Sequence, residues 1–136
     1  MHMPRCGVYL ALGAMGSLLA IATTFLVGSW FPMAGGTWSP DQVAVAQLRS
    51  TLQPYVLAQA TQQHRQLQPW STYSFQDQGR GSADGKFIFV NAFCNPPDAY
   101  SAKQFVRVLD GGTCYFEVKY NPKTKTFYGL GFNGVA

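Results

Sequence analysis

The chain is short of the groups from which active sites are usually built. Among its 136 residues are two histidines, three cysteines and only six acidic side chains. His2 lies at the extreme N-terminus, and His64 falls at the end of an expected helix, where it complements the helix dipole. A Cys-His nucleophile would need a free thiol, against the disulfide reading given below. Four zinc ligands cannot be assembled from Cys94, Cys114 and no neighbouring histidine. Neither a phosphate-binding loop nor a Gly-x-Ser-x-Gly elbow occurs. The acids Asp41, Asp77, Asp84, Asp98, Asp110 and Glu117 read mostly as turn or cap residues. These shortages point away from an enzyme, and no catalytic, cofactor-binding or metal-binding residue is assigned.

Basic clustering is missing too. The formal charge is +4, but Arg49, Arg65, Arg80, Lys86, Lys103, Arg107, Lys119, Lys123 and Lys125 are scattered. No nucleic-acid motif accompanies them, so no nucleic-acid partner is expected. Weak attraction to anionic lipid is the natural reading of this charge.

A third absence is positional. From Gly7 to Phe31 there is no Asp, Glu, Lys or Arg. As a helix rising about 1.5 Å per residue, this run would cross a bilayer core of about 30 Å. Arg5 precedes it and Asp41 follows it, which predicts a cytoplasmic N-terminus and a periplasmic or extracellular C-terminal domain. The expected organisation is a membrane anchor or uncleaved signal over 1–31, a linker over 32–38 and an exported α+β domain over 39–136. Cleavage after Ser29 is the alternative.

What is present beyond residue 38 has clear periodicity. Ser39 is placed to cap a helix, Pro40 suits its first turn, and Gln42 is the capping-box partner. Val45, Leu48, Leu52, Tyr55, Val56 and Gln59 form one stripe at steps of three and four. Pro54 removes a backbone donor, which predicts a kink or break near 50–53. From Ser71 the period becomes two. Strands are expected over 71–78, 86–94, 104–110, 113–120 and 126–132, with a turn over 79–85. The segment 86–94 is apolar on both faces, as a central strand should be. The expected fold class is α+β: a transmembrane helix, then a kinked helix packed on an antiparallel sheet of about five strands.

Exported cysteines read first as a disulfide, here Cys94 with Cys114. That bond restricts topology. In a plain meander the two cysteines would lie a strand length apart, roughly 20 Å, whereas a disulfide needs Cα atoms within about 7 Å. The connection 95–103 can span about 30 Å. Either the two cysteines stay as free thiols, or, as expected here, this connection carries the chain across so that 86–94 lies antiparallel beside 113–120.

Tyr115-Phe116-Glu117-Val118-Lys119-Tyr120-Asn121-Pro122-Lys123-Thr124-Lys125 resembles the strand-turn-strand of PepSY-type modules, a cystatin-like helix-on-sheet family. The resemblance covers this hairpin alone, with Lys125 where the family commonly has Gly. It implies a helix packed on a sheet, and some family members are associated with protease inhibition or envelope regulation. Gln42-Val43-Ala44-Val45-Ala46 lacks the Gly of the cystatin Gln-x-Val-x-Gly loop, so no inhibitory residue carries over.

The function expected from these features is a non-enzymatic, membrane-tethered domain. It would bind another envelope or membrane protein, or serve as an accessory subunit of a membrane complex. A secreted, disulfide-stabilised inhibitor of a hydrolase is the alternative. Binding is expected on the loop 95–103, where Pro96 and Pro97 provide stiffness and Tyr100 a large contact.

Overall fold

A computed structural model describes residues 29–83 and 85–135. Its elements in chain order are β1 (Trp30–Pro32), α1 (Gln42–Gln62), β2 (Ser74–Ser82), β3 (Gly85–Phe93), β4 (Tyr115–Asn121) and β5 (Thr126–Phe132). The strands form one sheet in the order β1-β2-β3-β4-β5.

The sheet is mixed, which corrects the antiparallel expectation. β1 runs parallel to β2, with Trp30 opposite Phe75 and Pro32 opposite Asp77, and α1 forms the crossover between them. Trp30 stacks on Phe75 with ring centroids 4.4 Å apart. Trp30 and Phe31 closed the expected membrane span, yet they are strand residues here. The earlier part of that span, 7–28, lies outside the described residues. Among the described residues no helix is long and apolar enough to cross a membrane.

α1 forms because its apolar stripe has a sheet to cover. Leu48, Leu52, Val56 and Ala60 are buried, joined by half-buried Val45 and Tyr55. They pack on Phe75, Ile88, Val90, Ala92, Phe116, Val118 and Tyr120, which share one sheet face. Each fully buried aliphatic side chain stabilises by about 1.5–3 kcal/mol. The helix runs unbroken from Gln42 to Gln62, so Pro54 does not end it. Pro54 and Ser50 are both exposed, so water can serve the carbonyl that proline leaves without a donor. The cap is Asp41, whose Oδ1 accepts from the Ala44 amide at 2.7 Å, and not Ser39. At the other end His64 has φ 54°, while its amide and that of Arg65 donate to Thr61 and Ala60. This is a Schellman closure with histidine where glycine is usual.

β2 and β3 form a long hairpin whose register runs from Ser74↔Phe93 to Ser82↔Gly85. Gly79–Ser82, expected in the turn, are therefore strand residues. β3 is central, as its two apolar faces implied: Ile88, Val90 and Ala92 face the helix, and Phe87, Phe89 and Phe93 the opposite side.

β3 pairs antiparallel with β4, with Phe93 opposite Tyr115. This brings Cys94 and Cys114 into a disulfide with Cα atoms 5.0 Å apart. The pairing argued from the cysteines, 86–94 antiparallel beside 113–120, is the one found, but without a crossover: no strand forms between them, and β2 to β5 are neighbours in chain order. The expected strand over 104–110 is not formed. Instead the chain from Asn95 to Gly111 crosses the sheet face opposite α1 as an irregular strap. Both edges of β3 are already paired, so the strap has no ladder to join. Buried side-chain amides replace that ladder. Gln76 Nε2 donates to the carbonyls of Ser101 and Gln104, each at 2.7 Å, and its Oε1 accepts from the Val106 amide at 2.9 Å. Asn91 Nδ2 donates to Gln76 Oε1 and to the Val106 carbonyl.

Candidate functional site

The loop singled out for binding carries its tyrosine outward. Pro96 and Pro97 are exposed, and Tyr100 is 67% exposed. Asp98 organises the turn below it. Its Oδ1 accepts from the Tyr100 amide at 2.9 Å and from Ser101 Oγ at 3.2 Å, while Ser101 Oγ accepts from the Asp98 amide. The amides of Lys103 and Gln104 both donate to the Tyr100 carbonyl at 2.9 Å. Ser101 is buried and tied to Gln76, and Cys94 bonds the root of the loop to Cys114. A large amphipathic side chain therefore stands on a turn already hydrogen-bonded into shape, so little entropy is lost when it is covered.

A second site was not anticipated. The segment 32–38, expected as a linker, is held along β2. Met33 and Thr37 amides donate to the carbonyls of Asp77 and Gly79 at 2.7 and 2.9 Å. Gln78 Nε2 and Trp38 Nε1 return bonds to the Ala34 and Arg80 carbonyls, each at 2.7 Å. Backbone lies against backbone here: a Cβ at Gly36 would come within 2.5 Å of the Gly79 carbonyl oxygen. Between this segment and the first half of α1 is a cleft of about 660 Å³, lined by Met33, Trp38, Val45, Arg49 and Asp77 among others.

Asp77 lies at this cleft, 5% exposed, and its Oδ2 has no hydrogen-bond partner. Burial pushes its carboxyl above the usual carboxylate range, and the nearby Arg49 charge opposes this only in part. The Arg49 guanidinium lies 4.8 Å from the centre of the Trp30 ring. In the sequence Asp77 falls inside the expected strand over 71–78 and belongs to no motif. Its signal was an acid at a position whose alternation, through Tyr73 and Phe75, points into the core.

The remaining polar candidates are dispersed. His64 closes the helix, Asp110 sits at the end of the strap, and Glu117 is on the opposite sheet face from Asp77. Among the described residues no group of three His, Cys, Asp or Glu side chains could hold a metal ion. No protein-family model matches the chain, and no curated protein or solved structure matches it.

Proposed function

We propose that this is a non-enzymatic binding domain of the cell envelope, which captures another envelope or membrane protein through the Pro96-Pro97 loop and Tyr100. The uncharged run before Ser29 would deliver it beyond the cytosol, where the Cys94–Cys114 bond is stable. The +4 charge adds weak attraction to anionic head groups. The observation that carries the reading is Tyr100, exposed at 67% on a turn whose hydrogen bonds use its backbone and not its side chain. Tyrosine so placed is a common energetic centre of interfaces. The disulfide that closes this loop also favours the second reading, a secreted inhibitor that presents a stiff loop to a hydrolase.

A photo-crosslinking residue at position 100, introduced in cells, tests both. A discrete protein adduct, absent when the probe is moved to exposed Thr124, supports capture by the loop. The identity of the adduct separates a membrane-complex subunit from a hydrolase. Tyr100→Ala should weaken that capture by about 1 kcal/mol or more with an unchanged melting temperature. Equal adducts at both positions would remove the loop from consideration.

A further inference from the structure

The cleft between α1 and the 33–40 segment has the marks of a built ligand site, independent of Tyr100. The buried side-chain amides of the sheet are satisfied: Gln76, Gln78 and Asn91 all hold hydrogen bonds. Asp77 is different. Only Asp77 Oδ2 and the Tyr120 hydroxyl are buried without a partner among the described residues. Of these two, the carboxylate is the more costly to bury, and it is the one that lines the cleft. The strand does not need this carboxylate. Its contribution to the sheet edge is the Asp77 carbonyl, which accepts from Met33, and any residue would supply that. A valine there would pack against the helix at no electrostatic cost.

The walls are rigid on both sides. The 33–40 segment is bonded directly to β2, and α1 is held by its buried stripe. The volume falls within the range of small-ligand sites, which are mostly apolar with a few converging polar groups. Here the polar groups have opposite charge. Asp77 Oδ2 lacks a donor, and Arg49, whose guanidinium carbon lies over the Trp30 ring, brings a positive charge to the same lining. A simple amine would satisfy the acid and be repelled by the arginine. A simple carboxylate would meet the reverse.

We propose that this cleft binds a compact zwitterion, an amino acid or short peptide, with its ammonium group on Asp77 and its carboxylate toward Arg49. The complex needs no covalent step. Trp38 and Met33 would cover the ligand's apolar part.

The test uses the full chain, isotope-labelled. It is titrated with the common amino acids and trialanine, with n-butylamine and butyrate as single-charge controls. The expected result is saturable shifts of the amides of 33–40 and 45–49 by at least one zwitterion, and weaker effects from either control. Free amino acids against trialanine distinguish the two sources of the ligand. Asp77→Asn keeps the shape and removes a buried charge, so it should melt no lower than the parent. It should lower affinity at least about tenfold. Arg49→Met, at an exposed position on α1, should lower zwitterion affinity while leaving butylamine binding intact or stronger. Absence of any saturable shift at millimolar concentration overturns the site. So does binding that is equal in both variants and the parent, or butylamine binding as tight as any zwitterion.

Discussion

The two faces of the sheet are covered by opposite means. On one side α1 satisfies its own backbone and buries an apolar stripe, so Leu48, Leu52 and Val56 form one cluster with Phe75, Val90 and Phe116. On the other side the strap from Asn95 to Gly111 makes no ladder and must find its hydrogen bonds elsewhere. It finds them in Gln76 and Asn91, paired across β2 and β3 beneath it, and in Asn133, whose Nδ2 donates to the carbonyls of Val108 and Asp110. A regular lid needs an oily floor. An irregular lid needs a floor with amides in it. The difference explains why buried glutamine and asparagine occupy the middle of an otherwise aromatic face.

The comparison can be broken from either side. Gln76→Leu would strip bonds from Ser101, Gln104, Val106 and Asn91 at once. At about 1–3 kcal/mol for each buried group left unpaired, the loss should reach about 4 kcal/mol or more by chemical denaturation. Amide exchange should rise first in the strap. Leu52→Ala on the helix face should cost about 3 kcal/mol as transfer and cavity terms, without selective exposure of the strap. If Gln76→Leu costs less than Leu52→Ala, the amide floor is not what holds the strap down.

Removing the staple comes next. Cys94 and Cys114 are separated by 20 positions, and a loop of that size contributes roughly 3 kcal/mol in the chain-entropy model. Cys94→Ala with Cys114→Ala should lose about that much. The strap face should loosen while the helix–sheet contacts persist, a pattern visible in residue-level exchange. Uniform loosening of both faces would show that they fold as one unit. The smallest effect concerns the helix lid alone. His64 occupies a left-handed position at φ 54°, and a side chain there costs about 1–2 kcal/mol relative to glycine. His64→Gly should therefore raise stability by up to about 1 kcal/mol, read as a higher denaturation midpoint with the strap unaffected.

Much of the helix face was legible from residue order. The three- and four-residue stripe located α1, and the two apolar faces of 86–94 placed β3 at the centre. The cysteine pair put β3 beside β4, although with no strand at 104–110 the antiparallel strands still follow in chain order. The strap misled because Phe105, Val106, Arg107, Val108 and Leu109 are rich in strand-forming residues. β4 had taken the edge such a strand would need. β1 was hidden inside the uncharged run, where Trp30 and Phe31 look like the end of a membrane span. Their pairing with β2 becomes possible only after α1 has folded back. Tyr100 could be singled out by its neighbours, Pro96 and Pro97. Asp77 had only its alternation with Tyr73 and Phe75 to mark it, because the cleft it lines is closed by the segment packed beside it.

Residue order by itself determined what each stretch can bury: one stripe of α1, both faces of β3, and a disulfide at the root of the strap. Those are local properties of periodicity and of the reach of a sulfur bridge. Tertiary structure decided which edges were free, and so made β1 parallel and left 104–110 irregular. It also closed a wall over Asp77. A strand edge accepts one partner only, and a charge becomes costly only when another part of the chain removes its water.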